Sequence, residues 1–143
     1  MKQEELNIIL EKHKKYLINE EGGEKADLSF ADLSGLDLYN VNLYSADLRD
    51  ADLRNANLNN AYLYNADLYN ANLCNANLNN AYLYNANLSY ANLCNANLSN
   101  ANLSFANLYN AILSGANLSN ADLSFANLSN TNLTKTILTN VKI

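Results

Sequence analysis

From Ala26 onward the apolar positions recur with a period of five. Leu occupies every fifth position from Leu28 to Leu138, and Ile143 closes the series. Two residues before each Leu stands Ala, except at Leu36, Val41, Thr131, Thr136 and Val141. The residue between them is usually Asn or Asp, and the two that follow Leu are mostly polar or Tyr, with Asn dominant at the second. In extended chain, residues two apart face the same side, so Ala and Leu of each unit point together into an interior. Leu48, Leu53, Leu58, Leu63, Leu68 and Leu73 are therefore expected core residues. A corner must follow each Leu, and Asn suits it because its side chain bonds to the local backbone and tolerates left-handed conformations. Four such corners close one square coil of four repeats, and successive coils stack about 4.8 Å apart through backbone hydrogen bonds. A period this short excludes helical-hairpin repeats.

Residues 1–25 lie outside the pattern. Leu6, Ile9, Leu10, Tyr16 and Leu17 recur at helical spacing among Glu and Lys, and Gly22-Gly23 is the expected stop. A helix this short is marginal alone and needs an apolar surface to lie on. The chain thus divides into a capping helix with its Gly-Gly linker (1–25) and a repeat domain (26–143). Both ends of a solenoid expose core and strand edges. The helix is expected to cover the first end, with the larger Leu36 and Val41 filling the junction. The other end, built from Leu128, Leu133, Leu138 and Ile143, is expected to pair end to end with a second copy as a homodimer.

Units such as Ala46-Asp47-Leu48-Arg49-Asp50 resemble the pentapeptide repeat family, and the resemblance runs unbroken over residues 26–143. It implies an all-β solenoid, a right-handed quadrilateral β-helix of about six coils and roughly 28 Å length, with the central Leu and preceding Ala inside. The segment Ile9-Leu10-Glu11-Lys12-His13-Lys14-Lys15-Tyr16-Leu17, followed by Gly22-Gly23, is similar to the N-terminal helical cap of some members.

With four repeats to a coil, equivalent positions in every fourth repeat form outward columns. Tyr44, Tyr64 and Tyr84 make one; Tyr62 and Tyr82 make a second on the same side; Phe105 and Phe125 stack at the corner of that side. Exposed aromatics in such a stripe favour a protein interface, although stacked rings also stabilise a ladder on their own. Asn40, Asn60, Asn80, Asn100, Asn120 and Asn140 form a corner column expected to be a structural side-chain ladder. Cys74 and Cys94 are vertical neighbours, but two thiols alone do not make a metal site. His13 has no nucleophile or carboxylate partner and is read as a packing or surface residue. Asp27, Asp47 and Asp67 share one column, and Asp32 and Asp52 share the next. The resemblance gives these columns a second meaning, since some family members that bind DNA gyrase are thought to imitate a row of phosphates.

The net charge is −5, which argues against direct binding to nucleic acid or an anionic membrane. No run of residues approaches a membrane span, and two cysteines make no disulfide framework; the cytoplasm is the expected compartment. There is no nucleophile–base pair, no Gly-rich phosphate loop and no metal-ligand cluster. The expected function is a non-catalytic scaffold or protein-interaction module without cofactor, acting on an unidentified protein partner. The alternative is a DNA mimic acting on gyrase or a related topoisomerase; Arg49 and Arg54 beside the aspartates, and the lack of a second, C-terminal helix, weigh against it.

Overall fold

The computed structural model describes residues 1–143. The repeat region climbs by parallel β-bridges between equivalent residues of successive coils, from Asp27–Asp47 at one end to Asp122–Lys142 at the other. Each repeat contributes a single bridge, at the residue before Leu, so each side of the rod is a ladder of one-bridge steps. Three backbone bonds tie a unit to the next coil. Leu28 donates to the Asp47 carbonyl at 2.8 Å, Phe30 to that of Arg49 at 2.9 Å, and Asp47 back to that of Ala26 at 3.0 Å. The four sides of a coil follow in chain order, beginning with those of Leu28, Leu33, Leu38 and Leu43.

Each side ends in a turn closed by a bond such as Ala31 N–H to Leu28 C=O (3.1 Å). Its third residue has positive φ, +57° at Asn80 and +60° at Asn100, as a type II turn requires. Asn dominates there because it bears this conformation most cheaply after Gly. The side chains of the Asn40–Asn140 column do not form the expected continuous ladder. Within it only Asn140 reaches its neighbour, donating to Asn120 Oδ1 at 3.3 Å, while Asn60 donates to the Tyr39 hydroxyl at 3.4 Å. The corner selects Asn for its backbone. Side-chain bonds between coils occur at some other corners, where Asn70 donates to Asp50 at 2.7 Å and Asn85 to Asn65 at 2.8 Å, and on the flat sides, where Asn57 donates to Asp37 at 2.9 Å and Asn59 to Asn79 at 3.0 Å.

The Asn or Asp before Leu has its own local reason. Its Oδ1 accepts the N–H two residues on, as Asp27 does from Ser29 and Asn97 from Ser99, both at 3.1 Å. This Asx-type bond satisfies an outward backbone donor that the ladder cannot reach. Inside, Leu and Ala from Ala46 to Leu123 are no more than 2% exposed, including all six expected core leucines. Burying each Leu contributes about 1.5–3 kcal/mol, set against the entropy of ordering the chain.

Helix α1 spans Gln3–Leu17 and lies across the first coil. Leu6 is fully buried there, with Ile9, Leu10, Leu36 and Val41 packed against the same core. Tyr16 turns out of the apolar stripe and is 42% exposed. The helix stops earlier than the Gly-Gly pair. Asn19, at φ +54°, donates to the Tyr16 carbonyl, and Glu20 donates to that of Lys15 at 2.9 Å, a Schellman motif. Gly23 serves a different need: a Cβ there would sit 2.4 Å from the Tyr16 backbone nitrogen.

His13 is fully buried, and its Nδ1 accepts the Ala26 N–H at 3.0 Å. The imidazole thus replaces the turn acceptor that a preceding coil would supply. At the opposite end Leu128 is half-buried, while Leu138 is 46% and Ile143 87% exposed.

Candidate partner-binding surface

The fourth side carries the aromatic stripe. Tyr62 and Tyr82 stack with centroids 4.9 Å apart and planes 10° from parallel. Tyr64 joins both at 6.4 and 5.6 Å, Tyr84 follows Tyr64 at 6.3 Å, Phe105 follows Tyr84 at 5.4 Å, and Phe125 follows Phe105 at 4.9 Å. The rings form one connected run, stacked at Tyr62–Tyr82 and Phe105–Phe125 and tilted by 50° at Tyr64–Tyr84 and 58° at Tyr84–Phe105. Tyr44 shares the column but makes no ring contact with Tyr64, so the run begins one coil later. Burial and the neighbouring Tyr82 and Tyr62 push the Tyr64 phenol up.

Phe105 and Phe125 share the left-handed backbone of the other corners, including those of Phe30 and Tyr90 on the first side. Phe105 (φ +61°) and Phe125 (φ +60°) occupy the left-handed corner position, where a bulky side chain is strained. Phe125 is nevertheless 80% exposed. Burial does not compensate that strain.

A second aromatic cluster lies on the first side. Tyr90 meets Tyr69 at 5.5 Å and Tyr109 at 5.6 Å. Column reading misses it because Tyr90 stands at the corner, one position beyond the column that Tyr69 and Tyr109 share. Aromatics sought in adjacent columns as well as within one would have revealed it. From Leu68 to Ala121 the chain has no charged residue, a stretch that takes in Tyr69, Tyr90 and Tyr109; the fourth-side run extends beyond it, and Asp122, paired with Lys142 at 3.0 Å, continues the column of Tyr62 and Tyr82.

The aspartate columns stack as expected, but their charge is spent locally. Arg49 holds Asp47 through Nε at 2.9 Å and reaches Asp67 at 3.8 Å; Arg54 holds Asp52 at 2.8 Å. Asp27 and Asp32 each accept a Ser hydroxyl at 2.6 Å, from Ser29 and Ser34. These bonds hold the carboxyls of all four below the usual range.

Cys74 and Cys94 are half-buried free thiols in one column of the second side, where Asn75 donates to the Cys94 carbonyl at 2.9 Å. Burial, then the neighbouring Cys94, pushes the Cys74 thiol up, the reverse of an activated thiolate. No three His, Cys, Asp or Glu side chains come together as a metal site. The interior is filled. A shallow groove of about 160 Å³ between α1 and the first coil is lined by Ile8, Ile9, Lys12, Glu24, Lys25 and Asp27. No helix is long and apolar enough to cross a membrane.

Comparison with known proteins returns the same repeat throughout. The family model for pentapeptide repeats matches residues 24–60, 61–100 and 101–140. Among solved structures, the pentapeptide repeat protein Rfr23 from the cyanobacterium Cyanothece 51142 is 34% identical; the match covers 81% of this chain and 86% of that one, with a TM-score of 0.52. HetL from the cyanobacterium Nostoc sp. strain PCC 7120, a pentapeptide repeat protein involved in heterocyst differentiation regulation, is 36% identical over 83% of this chain and 70% of that one (TM-score 0.43). A pentapeptide repeat protein of the Arabidopsis thaliana thylakoid lumen is 30% identical over 76% of this chain and 65% of its own, with a TM-score of 0.43. No protein of curated function matches.

Proposed function

The chain belongs to the pentapeptide repeat family, and from that premise we propose that it is a non-catalytic protein-interaction module, a right-handed quadrilateral rod whose fourth side docks a protein partner. The observation that carries this reading is the pair Phe105 and Phe125. Large apolar rings stand at corners that strain them, and most of Phe125 is left in water; Phe30 is as strained and as exposed but has no ring neighbour, whereas Phe105 and Phe125 continue the ring run of the fourth side. Strain kept at an exposed position points to use rather than stability. Tyr62, Tyr64, Tyr82 and Tyr84 extend the surface along the rod, and rigid aromatics of this kind dominate protein interfaces. The charges on this side, Asp122 and Lys142, pair with each other at 3.0 Å, so recognition rests on shape and hydroxyl hydrogen bonds. Salt should therefore change its affinity little. The setting we propose is the reducing cytoplasm, where Cys74 and Cys94 stay thiols.

The experiment is capture of partners by immobilised protein, beside a Tyr62→Ser, Tyr82→Ser variant shown by circular dichroism to keep its fold. A partner retained in high salt by the parent protein and lost by the variant supports the fourth side as the contact. Equal capture by both sinks it.

The DNA-mimic reading has one observation in its favour, the vertical register of Asp27, Asp47 and Asp67. Arg49 and Arg54 weigh against it by pairing the carboxylates that a phosphate-like array would leave free. Inhibition of gyrase supercoiling by the purified protein, weakened by Asp67→Asn, would favour the mimic over the interaction module.

A further inference from the structure

On the second side, the column at the position after Leu reads Ser34, Arg54, Cys74, Cys94, Ser114 and Thr134, so the two cysteines of the chain are neighbours on successive coils. Their backbones are tied on both flanks. Asn72 and Asn92 form a parallel bridge, Leu73 donates to the Asn92 carbonyl at 2.7 Å, and Asn75 donates to the Cys94 carbonyl itself at 2.9 Å. The spacing of the pair is that of the coils, about 4.8 Å. Both thiols are half-buried and free, and Cys94 acts directly on the Cys74 thiol.

That spacing suits a bound ion better than a sulfur–sulfur bond. A disulfide draws its Cβ atoms to about 3.5–4.5 Å, and the hydrogen bonds on both flanks resist the pinch. Two metal–thiolate bonds of about 2.3 Å in line span about 4.6 Å, close to the rise of one coil. The ligand count then selects the ion. No third His, Cys, Asp or Glu joins the pair. Zinc is thus two ligands short of its tetrahedron, and calcium or magnesium finds no oxygen cage. Soft thiolates select copper(I), whose filled d shell accepts two ligands in line.

We propose that Cys74 and Cys94 are a two-coordinate site for copper(I), a clip between the third and fourth coils (66–85 and 86–105). The ion enters as both thiols release their protons, so two thiolates and one monovalent cation leave a single negative charge. The surroundings favour that charge. The Asn92 side chain and the Cys94 backbone N–H both act on the Cys74 sulfur in favour of its thiolate. Asn87 and Asn127 turn their amides to the coil before, at 2.9 and 3.1 Å, whereas Asn92 makes no such bond to Asn72. Arg54, one coil before Cys74, is within reach of its charge. Burial and the second sulfur disfavour a bare thiolate at Cys74, and the cation relieves both. The second side lies across the rod from the fourth, so this site is separate from the proposed partner surface.

Titration of the reduced full chain with copper(I) under nitrogen, against a chromogenic copper(I) chelator, tests this. One ion per 15.8 kDa chain should leave the chelator. The loaded protein should melt at a higher temperature and sediment with the mass of the ion-free protein. Cys74→Ser and Cys94→Ser should each abolish uptake. Both should keep the fold by circular dichroism, because Ser stands in the same column at Ser34 and Ser114. The Tyr62→Ser, Tyr82→Ser variant should take up the ion as the parent does, whatever becomes of partner capture. Failure to draw copper(I) from the chelator overturns the proposal. So do uptake that survives either Cys→Ser change, one ion shared between two chains, or displacement of the ion by an equal concentration of zinc.

Discussion

Arg49 binds Asp47 within its own repeat through Nε at 2.9 Å and extends to Asp67, one coil on, at 3.8 Å. One guanidinium thereby relieves the repulsion that three stacked carboxylates would otherwise impose on the first side. The Arg49 side chain is half exposed, so the pair is screened by solvent and worth little in salt. Arg49→Ser should lower stability slightly at low ionic strength, and the loss should fade near 1 M salt. Urea midpoints at the two salt concentrations check this; a large, salt-independent loss would assign Arg49 a packing role instead.

Acid should weaken the rod in a defined window. Hydrogen bonds from Ser29, Ser34, Arg49, Arg54 and Ser124 hold Asp27, Asp32, Asp47, Asp52 and Asp122 below their ordinary values, Asp122 down to about 2 with Lys142 also donating at 3.0 Å. Carboxyls lowered by folding take up protons more readily in the unfolded chain. Their stabilisation is therefore complete above about pH 4 and lost as pH falls toward 2. Urea unfolding across pH 2–5 should show the decline, and Asp122→Asn should make it shallower. An unchanged slope would mean Asp122 is not held as the structure indicates.

The core should be unforgiving in the middle and tolerant at the open end. Leu68, fully buried, should cost about 3–5 kcal/mol on replacement by Ala, because a packed column cannot collapse onto the cavity. Leu133, already 36% exposed, should cost less than about 1 kcal/mol by the same change. Equal losses in paired denaturation curves would mean that the last coil is covered in solution.

Corner substitutions should follow φ rather than polarity. Asn80→Gly should be close to neutral, while Asn80→Val should cost about 1–2 kcal/mol at φ +57°. Gly115→Ala adds a local clash, since its Cβ would lie 2.3 Å from Asn95 Oδ1 at φ +72°. Thermal melts of the three variants rank the effects, and a neutral Asn80→Val would remove the backbone explanation for Asn.

Most of the solenoid is legible in the sequence because one period encodes both inward positions and the corner. The Ala-polar-Leu alternation, as in Ala46-Asp47-Leu48, is a local rule repeated without a slip, and the bridges from Asp27–Asp47 onward follow from it. What the period does not carry is each polar residue's particular reason. Asn at the corner reads as a side-chain ladder but answers to positive φ at every coil and to a side-chain bond only at some, such as Asn70 and Asn85, and the Asp or Asn before Leu answers to the N–H two residues on. His13 has no repeat to interpret it, and its acceptor role at Ala26 depends on how α1 lies on the first coil. The aromatic run is visible as columns, whereas Tyr69, Tyr90 and Tyr109 meet by crossing between them.

The most direct test of the interaction surface is the double variant Phe105→Asn, Phe125→Asn, measured for both thermal stability and partner capture. Asn is the residue this corner accepts elsewhere, so relief of strain should offset the lost ring stack, each about 1 kcal/mol. The account predicts a melting temperature close to wild type together with loss of capture. A variant that melts far lower yet still captures the partner would show that the rings brace the rod and that the binding surface lies elsewhere.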